Sequence, residues 1–282
     1  MRRRRFIALA GAAAVAGQGS AREQPRIVQE NDGETHVEND PAFELVHVEA
    51  PDEVSINEEF SLGVTVANVG DEDGRFVSPI TVSAFGEDMG TAGVIHLDVQ
   101  AGAEATYTND SVFFPYIADV TYRIAALDEA VDVRASAASL TYGDPWVTPD
   151  GILLTVHGVD IQASYEYERN GTNEEPAPEG SQWAFVWVKA RNVETKRERL
   201  PATRNINVLV NDQQFDDAFV RREADEYEDG QVDPGVVRSG WIAYELPADV
   251  DLEDFVVSYT DDDITGEWTG YWHTGTEEPA GD

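Results

Sequence analysis

Carboxylates dominate the side chains that could carry chemistry in this chain. Asp261-Asp262-Asp263-Ile264-Thr265-Gly266 follows the opening of a calcium loop, D-x-D-x-T-G, in which alternate oxygens converge on a hard cation. Its twelfth position is Trp272, where a bidentate Glu would complete the coordination, so the EF-hand pattern fails and an acidic hairpin turn is expected. Asp71-Glu72-Asp73-Gly74 reads as a turn of the same kind. A glycosidase needs two carboxyls about 5–9 Å apart across a cleft, and acidic pairs are too frequent here for any one to stand out. The five histidines, His36, His47, His96, His157 and His273, are scattered singly, with none at ligand spacing to another. His157 shares a strand face with Leu153 and Thr155 and is expected at the surface or an edge. There is no G-x-S-x-G elbow, phosphate-binding glycine loop or H-E-x-x-H. No catalytic residue, metal site or cofactor is assigned, and a non-enzymatic role is expected.

Aromatic and amide side chains offer the remaining chemistry. Trp268, Tyr271 and Trp272 fall within five positions and are candidates for stacking on sugar rings. Burial of Trp268 and Trp272 on one face of a last strand is the competing reading, with Tyr271 on the opposite face. Asn109-Asp110-Ser111 and Asn170-Gly171-Thr172 are N-x-S/T sequons, and Asn170, in an expected exposed loop, is the favoured glycan acceptor over Asn109.

The elements that must position these residues read as strands. Phe60, Leu62, Val64 and Val66 alternate with Ser61, Gly63, Thr65 and Ala67, the period of a half-buried strand. Similar runs follow at 80–85, 107–113 and 120–125, separated by turn clusters. After Tyr142-Gly143-Asp144-Pro145 a second block has strands at 152–156, 183–190, 206–210, 241–246 and 255–259. Trp183, Phe185 and Trp187 share one face, and Ala184, Val186 and Val188 the other. A strand apolar on both faces belongs in the middle of a sheet. Residues 168–182, with Gly171, Pro176 and Pro178, are expected to form an exposed excursion.

The two blocks repeat each other. Val64-Thr65-Val66-Ala67-Asn68-Val69 matches Val188-Lys189-Ala190-Arg191-Asn192-Val193, and Val99-Gln100-Ala101-Gly102 matches Val232-Asp233-Pro234-Gly235. Evenly spaced short strands with turn punctuation predict an all-β chain of two tandem immunoglobulin-like β-sandwiches. The sandwiches are expected over residues 41–142 and 146–273, with a disordered tail at 274–282.

Charge and the N-terminal segment set the expected surroundings. The chain has 55 acidic residues against 19 basic, a net charge of −36, and only two lysines, Lys189 and Lys196. Such a surface holds water and cations in multimolar salt, where repulsion is screened within about 3 Å. A halophilic archaeal source and a fold that requires high salt are therefore expected, and nucleic acid is excluded as a partner. Cysteine is absent, so the cores alone must hold the fold. The apolar run of 6–16 is too short to span a bilayer, and no later run is long enough.

Arg3-Arg4-Arg5-Phe6-Ile7, running into Ala8 and an alanine-rich stretch with Ala14-Val15-Ala16 as an A-x-A site, resembles a twin-arginine export signal. Arg3, Arg4 and Phe6 carry that resemblance within an expected signal segment of residues 1–21. A polar, flexible tether is expected over 22–40. Residues 41–142, with Asn57-Glu58-Glu59-Phe60, the Asn68-Val69-Gly70 turn and Val99-Gln100-Ala101-Gly102, are similar to cell-adhesion-related domains of the immunoglobulin-like type. Residues 146–273 resemble the telokin-like extracellular family through the run from Trp183 to Val188, Asn192-Val193, Pro234-Gly235, Gly240-Trp241 and Tyr244-Glu245-Leu246-Pro247. These resemblances imply a fold and an extracellular or cell-surface setting, and carry over no catalytic residue. The expected function is a non-enzymatic binding or adhesion protein of the cell envelope, whose partner is an envelope protein or glycan. The alternative is a carbohydrate-binding or accessory module of an extracellular hydrolase system.

Overall fold

The computed structural model describes residues 41–274, apart from 169, 212 and 222–224. The expected signal residues Arg3, Arg4 and Phe6, the tether over 22–40 and the tail beyond Thr274 lie outside the described residues. The fold is all-β, built as sandwiches, and its two short 3-10 turns, Thr203–Asn205 and Leu252–Asp254, do not interrupt that plan. No helix among the described residues is long and apolar enough to cross a membrane.

The first eight strands are β1 (Phe43–Glu49), β2 (Glu53–Ser55), β3 (Phe60–Asn68), β4 (Gly74–Ala84), β5 (Glu87–Val99), β6 (Glu104–Val112), β7 (Ala118–Ile124) and β8 (Glu129–Ser136). They form one sheet of order β1-β3-β6 and a second of order β2-β8-β7-β4-β5. The side chains show why. On β3, Leu62, Val64 and Val66 are buried, and on β7 so are Val120, Tyr122 and Ile124. Each set has period two, so each strand turns one face into a shared core and the other outward.

The next strands are β9 (Ala138–Thr141), β10 (Pro145–Val147), β11 (Ile152–Gln162), β12 (Ser164–Glu168), β13 (Thr172–Pro176), β14 (Ser181–Asn192) and β15 (Glu198–Leu200). They are followed by β16 (Ile206–Val210), β17 (Gln213–Phe215), β18 (Gly230–Val232), β19 (Val237–Pro247), β20 (Phe255–Asp262) and β21 (Glu267–His273). One sheet has the order β10-β11-β14-β19 and the other β17-β16-β20-β21-β9, with separate two-stranded pairs β12-β13 and β15-β18. Strand β14 lies between β11 and β19, as its two apolar faces require. Residues 138–141, expected at the end of the first sandwich, instead form β9, which runs parallel to β21 at the edge of the second set of sheets. Their buried Ala138 joins the core there.

The internal repeat is written into the hydrogen bonding. Asn68 and Asn192 are both fully buried at the ends of β3 and β14. The Asn68 amide donates to the Glu72 carbonyl at 2.7 Å and the Val99 carbonyl at 3.1 Å. The Asn192 amide donates to the Lys196 carbonyl at 2.8 Å and the Val232 carbonyl at 3.3 Å. Each side-chain oxygen accepts an N–H two residues on, from Gly70 at 3.1 Å and Glu194 at 2.9 Å. Each backbone carbonyl accepts from the matching glycine, Gly102 or Gly235, at 2.9 Å. One asparagine in each half ties the end of a strand to the turn that starts another.

The halves meet through aromatic side chains. Phe114, Tyr116 and Trp268 form a chain of ring contacts at 6.1 Å each. The Ile117 N–H donates to the Glu267 carbonyl at 2.9 Å, and the Asn57 amide to the Val147 carbonyl at 2.8 Å.

Candidate functional site

Asp261 and Asp262 end β20 and residues 263–266 form the turn into β21, with the Asp261 and Asp263 carboxylates hydrogen-bonded within this segment and to Tyr259 and Tyr116. Asp263 Oδ1 accepts the N–H groups of Thr265 at 2.6 Å and Gly266 at 3.2 Å, while Oδ2 accepts the Tyr116 hydroxyl at 3.1 Å. Asp261 Oδ2 accepts the Tyr259 hydroxyl at 3.0 Å. This turn joins the two halves: a Cβ on Gly266 would lie 3.0 Å from Phe85 Cζ and from Tyr116 Cβ. The Asp71 to Gly74 turn is similarly engaged, with Asp73 Oδ1 accepting the Ala101 N–H at 2.9 Å. No group of three or more His, Asp or Glu side chains among the described residues is arranged to hold a metal ion.

The stacking role considered for Trp268 and Trp272 does not survive the structure, because they are 2% and 0% exposed. Trp272 packs edge-on against Trp146 at 6.0 Å and donates its indole N–H to the Asp144 carbonyl at 3.1 Å. Tyr271 is partly exposed on the other face of β21. His157 is exposed, at a bulge where the β11–β14 register shifts. Asn170 is exposed in the turn between β12 and β13, in a left-handed conformation (φ 56°) that asparagine tolerates. Asn109 is half-buried on β6, and its side-chain oxygen accepts the Ser111 N–H at 3.2 Å.

Several titratable groups are perturbed near the junction, Asp150 and the Tyr116 and Tyr259 hydroxyls among them. Asp150, in the β10–β11 loop, has its carboxyl held above the usual aspartate range, chiefly by burial. The Thr148 hydroxyl, which bonds it, opposes that shift, and the negative charges of Asp261 and Glu198 add to it. Lys196, ion-paired with Glu198, is close enough to feel the charge of Asp150.

The most developed surface feature lies on the outer face of β14. Its inward residues Ala184, Val186, Val188 and Ala190 belong to the main core. Its outward residues Trp183 and Phe185 build a second, separate cluster with Tyr165, Val220, Trp241 and Ala243. Tyr165 meets Trp183 edge-on at 5.5 Å and Phe185 at 6.0 Å, and Phe185 meets Trp241 at 5.4 Å. Trp187 continues the face at 37% exposure.

Two covers hold this cluster. Residues 168–182, expected to be a loop excursion, instead contain β13, which pairs with β12 and folds back over the sheet. The Ala177 N–H donates to the Ala163 carbonyl at 2.8 Å to close that hairpin. The second cover runs along β19, where the Ala218 N–H donates to the Ala243 carbonyl at 2.7 Å and the Tyr227 N–H to the Trp241 carbonyl at 3.0 Å. Gly240 permits this approach, since a Cβ there would lie 2.4 Å from the Tyr227 nitrogen.

Between the covers is a pocket of about 470 Å³, lined by Tyr165, Trp183, Phe219 and Arg221 together with Glu175 and the Pro176–Pro178 stretch. Phe219 is 91% exposed. The Arg221 guanidinium reaches Glu175 Oε2 at 3.2 Å, and its backbone N–H donates to the Tyr165 hydroxyl at 3.1 Å. Trp183 is only 7% exposed, and its buried indole N–H has no acceptor among the described residues. Arg221 and Phe219 give no pattern in the sequence; the Trp183-Phe185-Trp187 alternation and that of Tyr165 and Tyr167 are its legible signals.

No protein-family profile matches the chain, and no curated protein matches it. Among solved structures it is similar to an uncharacterized beta-sandwich protein from Clostridium difficile 630, at 11% identity over 48% of this chain and 94% of that one, with a TM-score of 0.31. It is also similar to the yjhA protein of Bacillus subtilis, at 14% identity over 47% of this chain and 99% of that one, with a TM-score of 0.36. The ycdA protein of Bacillus subtilis is similar at 11% identity over 46% of this chain and 38% of that one, with a TM-score of 0.34.

Proposed function

We propose that this chain is a non-enzymatic exported binding or adhesion protein of a halophilic archaeal cell envelope. The observation that carries the binding role is the second aromatic cluster, which is built outside the main core and opens at a pocket beside the exposed Phe219. A fold needs its core, whereas an aromatic side chain left almost wholly in water on so acidic a surface suits a contact with another molecule. The Arg3-Arg4-Arg5-Phe6-Ile7 segment supports export by the twin-arginine route, and the excess of 55 acidic over 19 basic residues supports a high-salt setting. The resemblances of 41–142 to adhesion-related domains and of 146–273 to the telokin-like extracellular family agree with a place at the cell surface. A carbohydrate-binding or accessory module beside a hydrolase is the second reading, favoured by the aromatic and proline walls of the pocket.

Crosslinked capture of the tagged protein from native envelope in saturating salt, followed by mass spectrometry, tests the reading. Reproducible recovery of one envelope component, lost in Phe219→Ala, is the expected result. Recovery of nothing above background, or recovery indifferent to Phe219, contradicts it.

A further inference from the structure

We propose that the pocket between the β12–β13 hairpin and the 218–221 segment binds a neutral saccharide, a hexose or pentose unit of a polysaccharide. This rests on the reading of the chain as a binding module and names the ligand class of its site. A pyranose has apolar C–H faces and a rim of hydroxyls that both donate and accept. The pocket matches both properties. Phe219 offers an accessible ring, and Tyr165, Pro176 and Pro178 add apolar wall. Its volume of about 470 Å³ falls within the roughly 300–1,000 Å³ of small-molecule sites.

The polar groups point the same way. The Glu175–Arg221 pair, 3.2 Å apart, places an acceptor and donors side by side, the arrangement that adjacent hydroxyls of a sugar can bridge.

Charge selects among ligands of that shape. In multimolar salt only charges within about 3 Å are felt, and inside the pocket an acidic ligand would meet the Glu175 carboxylate. The guanidinium lining the pocket is already neutralised by Glu175. A neutral ligand meets neither repulsion nor an unbalanced charge, and hydrogen bonds and ring contacts to it persist in salt that screens ionic attraction. A proline-rich segment is the competing occupant, but it would lie along an open indole face. The Trp183 ring is packed edge-on with Tyr165 and is 7% exposed.

Isothermal titration calorimetry in multimolar potassium chloride, with the full chain, tests the assignment. The probes are cellohexaose, mannohexaose and xylohexaose, with hexagalacturonate and decaproline as the charged and peptide alternatives. We expect one of the three neutral hexasaccharides to bind, and Phe219→Ala to weaken it by about tenfold or more. Phe219 is exposed, so its substitution leaves the fold intact. Failure of all three, binding unaltered in Phe219→Ala, or preference for hexagalacturonate or decaproline overturns the proposal. Envelope capture separates this failure from a deeper one. An envelope partner lost in Phe219→Ala while every saccharide fails leaves the binding-module reading standing, whereas loss of both removes it as well.

Discussion

Asn192 shows how much one side chain can hold. Fully buried, it satisfies the Lys196 and Val232 carbonyls and the Glu194 N–H, and Asn68 does the equivalent work in the first half. Asn192→Ala strands those backbone groups, at about 1–3 kcal/mol for each one left buried and unpaired. We expect a loss of roughly 3 kcal/mol or more in equilibrium unfolding followed by tryptophan fluorescence in high salt. A change within about 0.5 kcal/mol, the range of an ordinary surface substitution, would contradict the role given to it. Asp150 acts in the opposite sense. Its folded-state pKa is raised, so the folded chain holds this proton more tightly than the unfolded chain does. The stability it contributes is fully present below the unfolded aspartate value of about 4 and is lost as pH rises through the folded value. Asp150→Asn should therefore be the more stable protein at neutral pH, with the gain shrinking on acidification and gone below pH about 4. A gain that does not vary with pH, or a loss at neutral pH, would sink this account of the loop.

At the scale of elements, alternation made the central strands legible. Leu62, Val64 and Val66 on β3, and the two apolar faces of β14, give the core, the mid-sheet position of β14 and the tandem arrangement directly. Strand β5 is not readable in this way, because Gly90 and Gly93 break its alternation and its pairing with β4 shifts register twice. Strands β12 and β13 escape for another reason. Ser164 to Glu168 alternates Tyr165 and Tyr167 with acids over only five residues, Thr172 to Pro176 is polar with Asn173 and Pro176, and Tyr165 packs on Trp183 and Phe185. Tertiary contact overrides local preference there, which is also why Phe219 and Arg221 became visible as a site only once the fold placed them together. The cover over β19 depends on Gly240. Gly240→Ala puts a methyl against the backbone of 225–227, and overpacking of this kind costs about 1–3 kcal/mol. The expected outcome is faster hydrogen exchange over 217–227 with the main core unchanged; exchange as slow as in the parent would show that the cover does not need the close approach.

The whole molecule combines aromatic cores with an acidic surface. Trp268 and the rings of Phe114 and Tyr116 join its halves, while no cysteine is available to reinforce them. With a net charge of −36, its stability should depend on ionic strength more than that of an ordinary domain. The unfolding temperature is expected to climb steadily with potassium chloride into the multimolar range, at about 2–4 °C for each kcal/mol gained. A midpoint indifferent to salt would remove the high-salt reading. The binding proposed for the outer face of the second sandwich is open to direct measurement. Its most direct test is hydrogen exchange of the full chain in saturating salt, with and without native envelope. New protection is expected at 164–178 and 217–221 alone, abolished in Phe219→Ala. Protection centred instead on β5, on the 261–266 turn, or nowhere would contradict it.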